Sequence, residues 1–379
     1  MKRLNNLYYE TCKLENIIQM TNKVCTRVKN KEKVNKFENY KSEHIYSIYK
    51  RLNERNLNIG KYNIFMITDP KCRIVMAQEI EDKIINHLIA DYILVKVFEN
   101  KYGNSMCATR IGKGTLYGVK LLKKYLNDIK KKYVNFYVLK IDISKYFYKI
   151  DHKILKNILK KKIKDKDALN ILYSIIDSTN EKYVNEEILK LKSSRIKYLK
   201  KSNLNNKNEL IREVEEIPLY EKGYGVALGN QTSQAFGLIY LYEINHYIKE
   251  YLHIKYLINY MDDFIIIYHD KNYLKYVLNK VKEKLKNDYN LKVNNKKTRI
   301  DSIKNGIDFL GYKFYIKRDK VILKLRNHTK NRLKKKMKNV KLLKKYNFID
   351  VKKFYILSNS YNGVLKWGST KNLNYQIFK

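Results

Sequence analysis

Two acidic segments of the sequence have the residue types and surroundings of a divalent-metal site. Asp262 and Asp263 stand between two β-rich apolar runs in INYMDDFIII, which predicts a hairpin with both carboxylates in its four-residue turn, YMDD. A third carboxylate, Asp142, ends the apolar strand YVLKID about 120 residues upstream. Adjacent carboxylates repel each other and are costly to bury, so the pattern favours a cation that neutralises them.

Three carboxylates at one place can hold two divalent ions roughly 3.5–4 Å apart, the arrangement used for in-line phosphoryl transfer. One ion activates an attacking 3′-hydroxyl and the other steadies a leaving pyrophosphate. Ligands that are all oxygen atoms suit Mg²⁺ or Mn²⁺. Taken alone, an Asp-Asp pair is more often an ordinary turn, and a lone Asp at a strand end is more often a cap. Other features of the sequence are therefore needed to distinguish a metal site from these structural roles.

The charge of the chain indicates a polyanionic partner. Among 379 residues, 80 are Lys or Arg and 37 are Asp or Glu, which gives a formal net charge of +43 spread along the whole sequence. A composition rich in Lys, Asn, Ile and Tyr also arises from an AT-rich genome, but that bias does not by itself make Lys outnumber Glu so heavily. Nucleic acid is therefore the expected partner.

Cysteine usage and hydropathy exclude several other classes. The cysteines, Cys12, Cys25, Cys72 and Cys107, form no CxxC or Cys/His cluster, so neither a zinc site nor a disulfide framework is expected. No apolar run approaches the roughly 18 residues of a membrane span, and the N-terminal segment MKRLNNLYYE lacks the apolar region of a signal peptide. We expect a cytoplasmic protein with no membrane partner.

Composition and periodicity predict a helix-rich α+β protein. With 44% hydrophobic residues, 13 glycines and 2 prolines, the chain can bury a core in two or three domains. Apolar residues at helical spacing predict two or three helices in residues 1–60, an N-terminal extension. Two β-rich runs joined by DPK at 69–71 follow. The charged and polar pattern of residues 178–215 predicts a helical insertion. Its charged residues most simply form a solvated face, and alternatively they contact nucleic acid or a partner.

Two glycine-containing segments could face a nucleotide. The segment NSMCATRIGKGT, residues 104–115, lacks the spacing of a P-loop, but it brings Arg110 and free backbone amides to a helix start. A triphosphate-facing surface there competes evenly with a glycine turn that carries solvated basic residues. In GVALGNQTSQ, residues 225–234, small residues ahead of a helix let the backbone come close to a flat group such as a base pair.

The order of these motifs resembles that of reverse transcriptases. The resemblance runs from Tyr62 to about Leu373 and rests on motifs in register: DPKCRIV, NSMCATRIGKGT, KIDISKYFYKIDH, GVALGNQTSQ, YMDD, NNKKT and DFLGYKF. It implies a right-hand polymerase fold, with fingers and palm in residues 61–315 and a basic helical thumb and tail in 316–379. GNQTSQ, the short basic thumb and the SxxxNGVLKW ending look most like enzymes of diversity-generating retroelements and related bacterial lineages.

The resemblance also assigns catalytic roles. Asp142, Asp262 and Asp263 would be catalytic and would bind two Mg²⁺ or Mn²⁺ ions, with the carbonyl of Ile143 as a further ligand. Phe147, five positions after Asp142, matches the steric gate that meets the sugar 2′ position. An aromatic residue at this gate favours dNTPs over NTPs.

Further residues match nucleotide-binding positions of the family. Arg73 and Arg110 match finger residues that clamp the triphosphate, and Lys297 matches a basic residue proposed to protonate the pyrophosphate. Gly229 lies in the nucleotide-pocket loop. Leu228 occupies the place where many polymerases keep a Gln, and an aliphatic residue there goes with error-prone copying in the diversity-generating group.

The implied activity is RNA-templated DNA synthesis, with an RNA template, dNTPs and a cDNA product as partners. The template would be a dedicated noncoding or retroelement RNA, used for mutagenic retrohoming with a small basic accessory protein or for phage defence. A non-catalytic RNA-binding protein stays open, although the three intact carboxylates argue against it, and Phe147 disfavours an RNA-templated RNA polymerase. The absence of the usual proline in the nucleotide loop and the long 178–215 insertion depart from the family pattern.

Overall fold

The computed structural model describes residues 3–55, 60–69, 71–318, 320–368 and 370–378. Its strands are β1 (Asn63–Ile67), β2 (Arg73–Ala77), β3 (Tyr137–Asp142), β4 (Tyr256–Tyr260), β5 (Asp263–Tyr268), β6 (Arg299–Ser302), β7 (Ile307–Phe309), β8 (Tyr312–Lys317) and β9 (Lys320–Leu325). Its helices are α1 (Leu7–Cys12), α2 (Leu14–Arg27), α3 (Lys31–Asn39), α4 (Lys41–Asn53), α5 (Ile80–Ile89), α6 (Lys96–Phe98), α7 (Thr115–Lys130), α8 (Tyr146–Lys149), α9 (His152–Lys162), α10 (Lys166–Asp177), α11 (Lys182–Lys201), α12 (Lys207–Glu215), α13 (Gln231–His246), α14 (Lys271–Tyr289), α15 (Asn327–Lys345), α16 (Val351–Leu365) and α17 (Lys371–Phe378). Pro70, at the centre of the predicted DPK turn, lies outside the described residues.

Four antiparallel strands in the order β4-β5-β3-β6 form the central sheet. Along β3, Leu139 and Ile141 point to one face of the sheet and are buried in the core that contains α13 and α14. Val138 points to the other face and is buried with residues of α7. By the same period of two, Lys140 and Asp142 lie on the α7 face. The strand therefore buries apolar residues on both sides and ends on a carboxylate.

The predicted hairpin around YMDD is present as β4 and β5, but its turn is shorter than predicted. Strand pairing continues to Tyr260 opposite Asp263, which leaves Met261 and Asp262 in the turn. Met261 has a φ of +56°, the left-handed backbone that short hairpin turns use. Asn259 Nδ2 donates a hydrogen bond to the Met261 carbonyl at 2.6 Å and supports this turn. As a result, Asp263 belongs to a strand and Asp262 forms the tip.

The N-terminal residues form α1 to α4, more helices than the two or three predicted. Ile17 of α2 and Ile48 of α4 are buried in the same core as Leu88 of α5. Asp165 caps the N-terminus of α10 and also accepts a hydrogen bond from the Leu7 amide of α1 at 2.7 Å. These helices are therefore packed onto the body of the protein and stabilise α5.

The β1–β2 hairpin packs against α11 and α12, which form most of the predicted insertion. Ile74 and Met76 of β2 are buried with Val184 and Leu199 of α11 and with Val214 of α12. The segment is helical, as its periodicity predicts. Its apolar residues cover the hairpin, so its face is only partly solvated.

The C-terminal part adds the β7-β8-β9 sheet and the basic helix α15. Phe309 and Phe314 of this sheet are buried with Met337 of α15 and Leu365 of α16, in the core on the α7 face of the central sheet. These contacts connect the basic helix to the side of the sheet that carries Asp142. None of the helices within the described ranges is both long and apolar enough to cross a bilayer.

Candidate active site

The three carboxylates meet at one end of the central sheet. Asp142, the last residue of β3, is paired directly opposite Asp263, the first residue of β5. Asp262 precedes Asp263 in the turn, and its carbonyl accepts a hydrogen bond from the Ile143 amide at 3.3 Å. Main-chain pairing thus joins residues that are far apart in sequence and places them on rigid elements.

Burial makes this end of the sheet unfavourable for negative charge. Desolvation raises the pKa of Asp262 to about 6, and the charge of Asp263 adds to the rise. Desolvation also raises the pKa of Asp263, against the opposing effect of the Lys140 ammonium. Asp263 Oδ1 is buried without a hydrogen-bond partner, since Lys140 Nζ lies 3.7 Å away. That carboxylate oxygen could accept a cation in place of the Lys140 ammonium group.

Lys297 forms an ion pair with Asp142, the third carboxylate. Its Nζ atom lies 3.1 Å and 3.3 Å from the two carboxylate oxygens of Asp142. The NNKKT turn that carries Lys297 is bonded to the end of β3, since the Asn294 amide donates to the Asp142 carbonyl at 2.7 Å. In addition, the Asp142 amide donates to Thr298 Oγ1 at 3.3 Å. The turn therefore positions an ammonium group on Asp142 through backbone contacts.

The donor chemistry fits a divalent ion such as Mg²⁺, although the ligands are not gathered into a shell. Across the part of the chain that the structure describes, no three His, Cys, Asp or Glu side chains stand close enough together to bind an ion as they are. The carboxylates, the unbonded oxygen of Asp263 and the carbonyl of Ile143 are hard oxygen donors. Lys140 and Lys297 contact two of the carboxylates, so a bound ion would replace these contacts.

A cavity of about 400 Å³ opens beside the carboxylates. Most of the residues predicted to form the site line it: Asp142, Ile143, Asp262, Phe147, Arg73, Leu228 and Lys297. Lys71 and Lys145 add further positive charge to the lining, although the sequence assigned them no role. A cavity with carboxylates and cations in its wall can bind a metal-bound polyphosphate.

The Phe147 ring has a fixed position in the wall of this cavity. The Tyr146 ring contacts it edge-on, with centres 5.3 Å apart, and the Tyr146 hydroxyl donates to the Gly237 carbonyl at 2.5 Å. A Cβ atom at Gly237 would lie 3.2 Å from the Phe147 ring. The glycine in α13 therefore lets the ring pack closely, which restricts the space that a sugar 2′ substituent could occupy.

The loop before α13 is pressed against β2. The Met76 amide donates to the Leu228 carbonyl at 2.8 Å. Gly229 has a φ of +126°, and a Cβ atom there would lie 3.0 Å from Val75 Cγ1 and 3.2 Å from the Met76 carbonyl oxygen. Gly229 thus permits the close approach of the loop to β2 but is not part of the described cavity lining, whereas Leu228 is.

Arg110 is not among the residues that line this cavity, so its predicted contact with a triphosphate stays a prediction. Its Nε atom donates to Glu99 Oε1 at 2.9 Å, and Nη1 donates to the carbonyls of Gly103 and Met106 at 2.8 Å and 3.1 Å. The guanidinium also lies 5.2 Å from the centre of the Tyr102 ring, and the side chain is 6% exposed. Because these local partners occupy its donors, the geometry does not support a direct triphosphate contact.

Two further groups to which the sequence analysis assigned no role contribute to the site. Glu213 and Glu216, at the end of the insertion, line the cavity. Glu213 Oε2 accepts a hydrogen bond from the Cys72 amide at 3.3 Å, immediately before Arg73. Buried His152 lies 2.6 Å through Nε2 from the Gly225 carbonyl and anchors the loop that carries Leu228. Neither the charged residues of a helix nor a single histidine indicates in the sequence that it will contact a loop of the site.

A family model and a curated protein match this chain. Residues 59–314, more than half of the chain, match the profile of the family described as reverse transcriptase (RNA-dependent DNA polymerase). A Saccharomyces cerevisiae protein described as a COX1/OXI3 intron 2 protein is 27% identical over 203 residues, with 48% of this chain and 24% of that protein covered. The chain therefore spans about a quarter of the length of this curated relative.

A solved structure that is similar to the chain is apo telomerase from Candida tropicalis, truncated from its C-terminal domain. It has a TM-score of 0.46 and 14% sequence identity, and the comparison covers 74% of this chain and 59% of that chain.

The family match in residues 59–314 includes the three carboxylates and the cavity lining from Lys71 to Lys297.

Proposed function

Because the chain belongs to the reverse transcriptase (RNA-dependent DNA polymerase) family, we propose that it makes DNA on an RNA template by two-metal nucleotidyl transfer. The observation that carries this proposal is the pairing of Asp142 with Asp263, beside Asp262, at a cavity that is also lined by Arg73 and Lys297. Its partners are an RNA template, dNTPs and the cDNA product.

The right-hand polymerase fold of the family suggests how the chain is divided. We assign the palm to the central sheet with α13 and α14, and the fingers to the β1–β2 hairpin with α11 and α12, all within residues 61–315. The thumb and tail are residues 316–379. The packed helices of residues 1–60 form the N-terminal extension. This division is supported by the separate apolar core that joins the hairpin to α11 and α12.

Asp142, Asp262 and Asp263, with the Ile143 carbonyl, would hold the divalent ions, Mg²⁺ or Mn²⁺. When bound, these ions would supply the Lewis acid that activates the primer 3′-hydroxyl and neutralises charge on the pyrophosphate. Lys297 then no longer has to neutralise Asp142, so its ammonium group is available to donate a proton to the leaving pyrophosphate. Its present contact with Asp142 supports this assignment, because it places the proton donor at the reacting end of the sheet.

Arg73 and Lys71 are the residues that we assign to the triphosphate. Both line the cavity, and Arg73 is the exposed first residue of β2. An arginine fork and a lysine suit phosphate oxygens. Arg110 instead stabilises the 104–115 segment, since its donors are bound to Glu99 and to backbone carbonyls.

We expect Phe147→Ala to raise the use of NTPs relative to dNTPs by about tenfold or more, because it opens space for a 2′-hydroxyl in the cavity wall. Single-nucleotide incorporation with each nucleotide type measures the ratio. Tyr148→Phe is the matched control, since Tyr148 also lines the cavity and this change keeps the ring. An unchanged ratio in Phe147→Ala would remove the steric gate from the proposal.

We propose that the template is a dedicated noncoding or retroelement RNA. The motif pattern supports a lineage of diversity-generating or related bacterial enzymes. The biological role is then mutagenic retrohoming, with a small accessory protein, or phage defence. All four cysteines, Cys12, Cys25, Cys72 and Cys107, are buried free thiols, which is compatible with a cytoplasmic location.

Leu228→Gln is expected to lower the error frequency of the cDNA by about tenfold. Leu228 lines the cavity, and its carbonyl is fixed by the Met76 amide, so the substitution changes the side chain that meets the nucleotide without moving the loop. Sequencing of cDNA from one defined template measures the errors. The same error frequency in both enzymes would show that the Leu228 side chain does not affect fidelity.

The decisive experiment is purification of the protein from its host, sequencing of the bound RNA and DNA, and a dNTP incorporation assay with Mg²⁺. Asp262→Ala/Asp263→Ala is the control. One dominant RNA, with cDNA that depends on metal and is lost in the control, would support a dedicated-template reverse transcriptase. Bound RNA without incorporation would favour a non-catalytic RNA-binding protein, the alternative suggested by the lysine-neutralised carboxylates.

A further inference from the structure

A row of aromatic rings lies at the end of the central sheet that is farthest from the carboxylates. Tyr133 stacks on His269, with ring centres 4.2 Å apart and an angle of 3° between the planes. His269 contacts Tyr268 at 4.4 Å, and Tyr268 contacts Tyr273 at 4.9 Å. Tyr273 in turn contacts Tyr276 at 5.8 Å. These residues are called the aromatic row.

The aromatic row is separate from the cavity beside the carboxylates. Asp263 begins β5 and Tyr268 ends it, so they are about 17 Å apart along the strand. Alternation along β5 also places them on opposite faces of the sheet, because Tyr268 points the same way as Ile266, which is buried in the core with α13 and α14. A ligand on the row would therefore leave the cavity free.

The two outer rings of the aromatic row are exposed to solvent. Tyr133 is 39% exposed and Tyr276 is 47% exposed, whereas the rings between them are half-buried and support the stack. Beyond Tyr276, Tyr251 is 67% exposed and stacks on Tyr247 at 5.0 Å. Single exposed aromatics are common on proteins, but connected rings with open outer faces form a stacking platform.

Lysines accompany the rings along α14. Lys280 Nζ lies 6.0 Å from the centre of the Tyr276 ring, and Lys284 Nζ lies 5.1 Å from that of Tyr247. Tyr276, Lys280 and Lys284 follow each other at four-residue spacing, so they share one side of the helix. From Tyr273 to Lys284 the helix rises roughly 16 Å, which is long enough to contact several nucleotides of one strand.

Acidic residues reduce this charge, and Glu250 lies next to Tyr251. Lys280 pairs with Glu283 at 3.0 Å, and Lys284 pairs with Asp288 at 2.5 Å. Asp270, next to His269, caps the N-terminus of α14. The sequence of α14 nevertheless contains six lysines and two acidic residues. Exposed pairs of this kind are weak, so phosphate groups can compete for the ammonium groups.

We propose that the aromatic row, extended by Tyr251 and the lysines of α14, binds a segment of single-stranded nucleic acid. Its bases stack on the outer faces of Tyr133, Tyr276 and Tyr251, and its phosphates contact Lys280 and Lys284. The segment is held at the far end of the sheet while the cavity is in use. This binding does not require DNA synthesis, so it can be tested separately from the proposed activity.

The test measures the binding of a short labelled oligouridylate, and in a second arm oligothymidylate, to the full chain saturated with an RNA–DNA duplex. We expect Tyr133→Ala/Tyr276→Ala/Tyr251→Ala to weaken binding by at least about tenfold. The corresponding Tyr→Phe triple variant keeps the rings and should bind within about threefold of the wild type. A loss in one arm only would identify that nucleic acid as the ligand.

Tyr9→Ala/Tyr40→Ala/Tyr46→Ala is the matched control, because these tyrosines are 60–66% exposed and lie in the N-terminal helical segment. If the control weakens binding as much as the first triple variant, or if the first variant binds like the wild type, the proposal is overturned. A second measurement does not depend on folding of a variant. Crosslinking of a photoreactive oligouridylate to the wild type should label peptides that contain Tyr133, Tyr276 or Tyr251, and labelling elsewhere only would reject the site.

Discussion

Asp142→Asn is expected to lower dNTP incorporation by at least about a thousandfold, because metal-ion stabilisation of the transition state contributes several kcal/mol. The change keeps the size of the side chain and the backbone pairing of β3 with β5, and it removes the charge of Asp142, with its metal affinity and its ion pair with Lys297. Binding of a primer–template should remain within about threefold, because the substitution removes none of the Lys and Arg residues that give the chain its net charge of +43. Single-turnover incorporation and equilibrium binding measure the two quantities.

Asp167→Asn is the matched control for this prediction. Asp167 lies on α10 and pairs with Arg55 at 2.8 Å, away from the described cavity, so its removal should leave incorporation within about twofold. An Asp142→Asn enzyme that retains a tenth or more of the wild-type rate would exclude Asp142 from the metal ligands. Equal losses in both variants would indicate a general effect of charge.

The strand ends that carry the three carboxylates were predictable from the sequence because their signals are local. An apolar strand that ends on Asp142 and two strands that flank Asp262 and Asp263 are visible as periodicity, and antiparallel pairing then brings them together. The turn length was not predictable, because pairing of Tyr260 with Asp263 depends on Met261 adopting a left-handed backbone. Propensity does not favour that backbone for methionine.

Residues outside the sheet show where sequence reasoning ends. Arg73 and Arg110 have the same chemistry and both stand beside glycine or turn signals, yet Arg73 lines the cavity and Arg110 is bound by Glu99. Only the tertiary packing separates the two. The same holds for Glu213, since a charged helix predicts solvation and nothing in its periodicity indicates a contact with the Cys72 amide.

Asp262→Asn is expected to stabilise the metal-free protein above pH ~7. Burial raises the pKa of Asp262 from the ordinary 3.8 to about 6, so the folded protein holds this proton more tightly than the unfolded chain. Above that range the carboxylate is ionised in both states, and the folded state carries the cost of a buried charge. One pKa unit corresponds to about 1.4 kcal/mol and partial exposure screens it, so we expect a gain of about 1–2 kcal/mol in the free energy of unfolding.

The pH dependence and the metal dependence of this gain identify its cause. As pH rises from about 4 to about 6, the folded wild type binds more protons than the unfolded chain, so its stability falls through this window, and Asp262→Asn lacks that fall. Mg²⁺ should raise the melting temperature of the wild type more than that of the variant, because only the wild type gains a ligand for the ion. Thermal melts with a chelator and with Mg²⁺ at several pH values measure both effects.

A variant that is less stable than the wild type in the chelator would show that the Asp262 charge is already compensated, and equal Mg²⁺ shifts would exclude Asp262 as a ligand. The opposite pattern, a more stable variant that Mg²⁺ hardly shifts, follows only if the folded protein tolerates the Asp262 charge in order to bind metal.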